Sequence, residues 1–212
     1  DWSSDVCSSD LSPDAVPQLR ARQMQIATNP QPHVWPWQPC FAESSPLRDV
    51  RVRRAINLGI DREGLKTLLG GMMSVPVGTV PRGHPWFGNP SFNIRTDKAE
   101  ARRLLAEAGY TPQRPLTLKV QISASGSGQM QPLPMNEFVQ QSLKACYFDI
   151  EFDVIEWNTL FTNWRLGAKD ATARGAHAIN VSFAAMDPFF AMVRFTSTKT
   201  FPPVSNNWGF FG

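Results

Sequence analysis

Ser123 to Gln131 (SASGSGQMQ) is the stretch whose residue types most readily do chemistry. Its exposed amides, the hydroxyls of Ser125 and Ser127 and the amide of Gln129 can all bind polar groups of a ligand, with Gly126 and Gly128 freeing the backbone. A Gly-x-Gly turn between a strand and a helix also invites a dinucleotide reading, with acidic residues roughly twenty positions on. The third glycine of that fingerprint is absent, because Gln131 holds its place and Pro132 and Pro134 open the helix. The phosphate-loop pattern fails as well, since no lysine follows. A nucleotide-dependent α/β enzyme is therefore only the alternative reading, and no cofactor is expected.

Nucleophilic chemistry has even less support. The pattern G-x-S-x-G is missing and His33, His84 and His177 stand in unrelated contexts, so no catalytic residue is assigned and the chain is expected not to be an enzyme. His84, in a Gly-Pro-Trp loop, reads as a turn residue and His177 as packed or capping. Asp187 before Pro188 reads most simply as a helix start. The cysteines form no C-x-x-C pair and no cluster with histidine, so no metal site is expected. Whether Cys40 and Cys146 pair is left open. Trp157 and Trp164 fall on core-facing spacing, whereas Trp35, Trp37, Trp86 and Trp208 lie in Pro- or Gly-containing segments that suit a ligand wall or a domain interface.

These residues need a scaffold. Arg20 to Ala27 alternates loosely and predicts a strand. Asn29 to Pro39 (NPQPHVWPWQP) carries four prolines, which predict an extended crossing segment. Asp49 is positioned to cap a helix to about Leu58, and Asp61 a second, stopped by Gly70 and Gly71. A proline-punctuated loop, Ser74 to Phe92, follows. Asp97 with Glu100 forms a capping box ahead of the stripe Ala101, Leu104, Leu105 and Ala108, and Gly109 ends that helix. From Leu116 to Ile122 the period is two, a strand. Met135, Phe138, Val139, Leu143 and Cys146 predict a helix. Ile150, Phe152 and Val154 predict a second strand, Asn158 caps a further helix, and Ile179, Val181 and Phe183 predict a third strand. Strands alternating with helices argue for an α/β fold with a mostly parallel sheet flanked by helices. In such sheets a ligand sits beyond the carboxyl ends of the strands. The loops there are Ser123 to Gln131 and Ala184 to Phe190.

Composition narrows the class. The 212 residues include 21 Lys plus Arg against 18 Asp plus Glu, a mild and scattered positive charge that gives no nucleic-acid stripe. No run of roughly 18 apolar residues crosses a membrane. Asp1 to Leu11 (DWSSDVCSSDL) has no period, and its back-translation looks like a sequencing-library adapter, so residues 1–11 are expected to be an artefact. The gene is then expected to be cut at Ser12, and the aromatic ending NNWGFFG gives the same impression at the other end.

Leu47 to Gly71 (LRDVRVRRAINLGIDREGLKTLLGG) resembles the extracellular solute-binding proteins of ABC importers, family 5, which includes oligopeptide-, dipeptide- and nickel-binding members. The resemblance continues through Thr79 to Pro85 (TVPRGHP), Asp97 to Tyr110 (DKAEARRLLAEAGY), Ile150 to Trp157 (IEFDVIEW) and Met186-Asp187-Pro188. It implies a periplasmic-binding-protein-like clamshell closing on its solute. Residues 46–200 would be the second, solute-binding lobe, 12–45 a crossing segment, and 201–212 the start of a return crossing to a first lobe outside this chain. It implies capture of a peptide-like or other small polar solute and its delivery to ABC permease subunits by a monomer in the periplasm, with the signal peptide outside this chain. The chain alone, as one wall of the cleft, is expected to bind solute negligibly.

The residues expected to touch solute are Trp35 and Trp37 on the crossing segment, Ser125, Gly126, Ser127 and Gln129 in the first loop, Ser182, Ala184, Met186 and Asp187 around the second, and Trp208. Relatives that bind peptides usually place an amino-anchoring aspartate four residues before the proline of the Asp-Pro pair, and here that place is Ala184. An arginine that meets the carboxylate in some dipeptide binders corresponds to Leu133 or Pro134. An uncharged solute such as an oligosaccharide suits this pair of departures. Tyr147 stands where relatives place a helix-ending glycine, at a cost of about 1 kcal/mol if it adopts the left-handed cap.

Overall fold

A computed structural model describes residues 12–28, 33–125, 130–184, 187–189 and 197–212. In chain order the elements are α1 (Ala15–Ala21), β1 (His33–Val34), β2 (Trp37–Pro39), α2 (Val50–Gly59), α3 (Arg62–Leu68), α4 (Lys98–Glu107), β3 (Leu116–Ser123), α5 (Pro132–Lys144), β4 (Phe148–Ile155), α6 (Trp157–Leu166), β5 (Ala178–Asn180) and β6 (Phe183–Ala184).

The helix starts follow from local chemistry. Asp49, Asp61 and Asp97 each accept a backbone N–H of the first turn they precede, from Arg51 at 2.8 Å, Gly64 at 3.0 Å and Glu100 at 3.0 Å. Two expectations are corrected. The strand expected at 20–27 is instead the end of α1 and an exposed coil. Ala15, Gln18, Leu19 and Arg20 favour helix, Pro17 sits in the first turn where no N–H is needed, and the alternating residues had no apolar face to bury. Helix α6 is capped by Glu156 rather than Asn158. The Glu156 carboxylate accepts the N–H of Asn158 at 2.9 Å and of Thr159 at 3.0 Å, which starts the helix early enough to turn Leu160 and Trp164 inward.

The central sheet has the order β2-β5-β3-β4. β3 pairs in parallel with both β4 and β5, while β2 joins antiparallel at the edge, where Pro39 forfeits no ladder bond. The fold is thus α/β with a mixed, mostly parallel sheet. The third expected strand is broken in two: it leaves the sheet after Asn180 and resumes as β6, paired with β1.

Each face of the sheet carries its own core. Leu116, Leu118, Val120 and Ile122 pack with Leu58, Leu105, Val139 and Leu143 from α2, α4 and α5. On the other side Ile179 and Val181 meet Leu160, Trp164 and Trp208. Cys146 belongs to the first cluster and Cys40 to the second, and both are free thiols. The alternation in β4 fails at Val154, which is 52% exposed because β4 is an outer strand, while the next residue, Ile155, turns into the second cluster. Tyr147 does take the left-handed conformation, with φ of 68°, and closes α5 without a glycine.

Candidate ligand-binding site

The two short strand pairs are one ribbon. β2 pairs Trp37 with Asn180 and Pro39 with Ala178, and β1 pairs His33 with Ala184 and Val34 with Phe183. The register is the same in both, so Trp35 stands opposite Ser182 and Pro36 opposite Val181 across the interruption. Pro36 is the physical reason for the break, having no N–H to donate. Its carbonyl is used instead by the side chain of Asn180, at 2.9 Å. The ribbon therefore runs from the sheet edge past the carboxyl end of β5, into the region where ligands of such sheets bind.

A buried network fastens the ribbon to the start of α5. Trp37 Nε1 donates to Asn136 Oδ1 at 2.9 Å, and Asn136 Nδ2 donates to Asn180 Oδ1 at 3.1 Å and to the Pro132 carbonyl at 2.9 Å. Asn136 and Asn180 are fully buried, and every one of these polar groups has a partner. Farther out, His33 Nδ1 and Trp35 Nε1 are shielded from water and make no hydrogen bond. Residues two apart on an extended strand share a face, so the ribbon offers Trp37, Trp35 and His33 in one row, satisfied at its inner end and unsatisfied at its outer end. The row and its cross-strand positions Asn180, Ser182 and Ala184 include no carboxylate and no Lys or Arg.

The candidate residues divide accordingly. Trp35, Trp37, Ser182 and Ala184 are brought together on the ribbon. Ser125 lies exposed just past β3, its N–H donating to Ser123 Oγ at 3.3 Å. Asp187 is exposed three residues beyond Ala184 and its carboxylate accepts the Phe189 N–H at 2.9 Å, the helix-start role its sequence predicts. Gly126, Ser127, Gln129 and Met186 lie outside the described residues. Trp208 is corrected from wall to core: it is fully buried in the second cluster, and its carbonyl accepts the Ala168 N–H at 2.9 Å. Its neighbour Gly209 lies so close to the Pro39 carbonyl that a Cβ there would overlap it, and this packing draws Trp208 inside.

Sequence reasoning missed His33, Asn136 and Asn180. The signal available for the asparagines was their place at positions otherwise destined for the core, where a polar side chain requires a dedicated partner. His84 Nδ1 accepts the Trp86 N–H at 3.1 Å and is a turn residue. His177 Nδ1 accepts the Lys119 N–H at 3.0 Å, and burial pushes its pKa down so that the neutral ring is the form that accepts. A cavity of about 310 Å³ between Phe41, Arg48, Arg53 and Phe210 to Gly212 lies apart from the ribbon row. Among the described residues no group of three or more His, Cys, Asp or Glu side chains is arranged to hold a metal ion.

The architecture is that of the periplasmic-binding-protein-like α/β folds. It superposes on the murein tripeptide binding protein MppA of Escherichia coli with a TM-score of 0.73, at 24% identity over 95% of this chain and 38% of that one. NikA of Staphylococcus aureus, solved in complex with Ni(L-His)2, gives 0.71 at 18% identity over 95% of this chain and 41% of that one. The chain belongs to the bacterial extracellular solute-binding proteins, family 5 (Middle), which match residues 4–201. It is 27% identical over 126 residues to di/tripeptide-binding protein 2 of Pseudomonas aeruginosa, covering 59% of this chain and 23% of that protein. It is 25% identical over 142 residues to the periplasmic oligopeptide-binding protein OppA of Escherichia coli, covering 63% and 25%. The chain thus spans about a quarter of the length of these curated relatives.

Proposed function

We propose that this chain is the solute-gripping portion of an ABC import system's binding protein, one that captures a peptide-like or other small polar solute outside the cytoplasmic membrane and passes it unchanged to permease subunits. The observation that carries the reading is the β1/β6 end of the ribbon, which sets Trp35, Ser182, His33 and Ala184 beyond the carboxyl end of the sheet. An apolar wall with a few aimed polar groups is how proteins hold small solutes. The names of the relatives point the same way, since one is a di/tripeptide-binding protein and the other a periplasmic oligopeptide-binding protein.

In this reading residues 46–200 form the second, solute-binding lobe, 12–45 is a crossing segment and 201–212 the start of the return crossing to the first lobe. Support comes from the bonds between the two crossings: Phe41 N–H donates to the Gly209 carbonyl at 2.8 Å and Gln38 Nε2 to the Asn206 carbonyl at 3.1 Å. The protein works as a periplasmic monomer with Ser125, Gly126, Ser127, Gln129, Met186 and Asp187 among the residues that contact the solute. Thermal-shift screening of the protein made from its complete reading frame tests this, with short peptides and oligosaccharides as arms. Stabilisation by either class supports solute capture. Turnover of a bound compound, or no stabilisation by any arm, overturns it.

A further inference from the structure

β5 is only three residues long, and its amino end is held to β3 by a side chain as well as by the ladder. Across that ladder Val120 stands opposite Ala178 and Gln121 opposite Ile179. One residue earlier, the His177 N–H donates to the Lys119 carbonyl at 2.8 Å. The Lys119 N–H is returned not to a backbone carbonyl but to the His177 ring, whose Nδ1 accepts it at 3.0 Å. The backbone ahead of His177 turns away at Gly175, with φ of 74°, and the Ala176 N–H is spent on the Ala173 carbonyl at 2.8 Å. The His177 carbonyl also accepts the Cys40 N–H at 2.8 Å, so the chain just past β2 is tied to the same residue. At its other end β5 continues through Asn180 into the ribbon.

We propose that His177 is an acid-released latch: its neutral ring fastens the amino end of β5 to β3, and protonation of Nδ1 frees that end of the strand from which the ribbon extends. A neutral imidazole has one ring lone pair to offer, and here Nδ1 offers it to Lys119 while Nε2 keeps the proton. Once both nitrogens carry protons the ring accepts nothing, and two donors face each other in a partly enclosed place. The surroundings of the ring set when this happens. Its burial disfavours the imidazolium most, Glu151 on β4 favours it, and Lys119 on β3, which stands opposite Glu151, disfavours it. Lys119 Nζ donates to the Arg174 carbonyl at 3.0 Å, and Arg174 Nε pairs with Asp153 at 3.1 Å. From the side of β2, Cys40 brings a thiol whose burial raises its pKa, so it adds no charge. Burial prevails and holds the ring's pKa below its ordinary value, so the latch is fastened at neutral pH and opens in acid. The device is internal to the sheet and independent of which solute the ribbon receives.

Hydrogen exchange on the protein from its complete reading frame tests the latch, read amide by amide by mass spectrometry and corrected for the intrinsic effect of pH. Slow exchange at the His177 ring carbon gives the ring's titration in the same samples. In the wild type the Lys119 amide should lose protection about tenfold or more between about pH 7.5 and 5, with a midpoint that coincides with that of the ring. His177→Asn puts a non-titrating acceptor near the place of Nδ1 and should keep Lys119 protected at both ends of the range. His177→Phe, which offers no acceptor, should leave it unprotected at both. Glu151→Gln removes the carboxylate that favours the imidazolium, so both midpoints should move together to lower pH. A Lys119 amide that stays protected while the ring titrates would overturn the latch, as would the same acid-dependent loss in His177→Asn. Should a variant fail to fold, the comparison of amide and ring in the wild type still decides. Solute binding enters none of these readouts, so the outcome bears on the latch and not on solute capture.

Discussion

The side chains of Asn136 and Asn180 meet in a 3.1 Å hydrogen bond, both fully enclosed, although one stands on α5 and the other ends β5. Asn136 also accepts from Trp37 Nε1, so a single amide ties a helix, a sheet strand and the crossing strand. Replacing it by Leu, of similar size, leaves Trp37 Nε1 and Asn180 Oδ1 enclosed without partners. A loss of about 3 kcal/mol is expected from the unmade bonds. Urea unfolding of wild type and Asn136→Leu measures it, and a change under about 1 kcal/mol would show that the network carries little stability.

Trp208 separates packing from ligand contact. Trp208→Ala should cost about 3–5 kcal/mol, the range for emptying a large aromatic site in a core. Trp208→Phe should cost far less, because it also removes an indole N–H that has no partner. Guanidinium unfolding gives both values. Solute affinity of Trp208→Phe equal to that of the wild type is the second expected outcome, and a large drop would return Trp208 to the binding wall.

Cys40 and Cys146 lie on opposite sides of the sheet, and burial raises the pKa of both thiols. Thiols held protonated away from solvent react slowly. The melting temperature should be the same with and without dithiothreitol. Both should label with a thiol reagent only on unfolding, as followed by mass spectrometry of digested protein. A mass two protons short, with the two cysteines linked, would refute the separation.

Acid should unfold the protein through its helix caps. The pKa of Asp97 lies below the ordinary carboxylate value chiefly because it accepts the Glu100 N–H, and Glu156 and Asp170 are lowered by backbone N–H groups in the same way. A folded-state pKa below the unfolded one means the stabilisation is complete above the unfolded value, about 4, and drains away as the pH falls through the folded one. Melting temperature should decline gently as the pH falls below about 6.5, where the unfolded chain protonates His177 and the folded chain keeps it neutral, and drop steeply below about pH 4. Asp97→Asn keeps a capping acceptor and should make that drop shallower, whereas Asp97→Ala should lower the melting temperature at neutral pH too.

The sequence displayed the scaffold more clearly than the site, for a physical reason. Helix α4 announces itself because Asp97, Glu100 and Gly109 act within one short segment, and β3 because its period of two is undisturbed. The cap of α6 was placed two residues late, since Glu156 is a less usual capping residue than the asparagine beside it. The ribbon was invisible, because its register joins residues nearly 150 positions apart and no local pattern encodes that pairing. Trp35, Trp37, Ser182 and Ala184 were named singly from loop chemistry and strand ends, and only the fold shows that they stand on one structure. Asn136 and Asn180 went unnamed because the role of a buried amide depends on what surrounds it.

The shared register of the inner and outer strand pairs constrains how this region can be altered. Deleting one residue at 35–36 would turn His33 and Val34 over relative to Phe183 and Ala184, exchanging the residues shown to each side. A matching deletion at 181–182 would restore the alignment and only shorten the reach past the sheet. Insertions and deletions in the two segments are therefore tolerable in pairs, and a change of length in one alone is a change of what the wall presents.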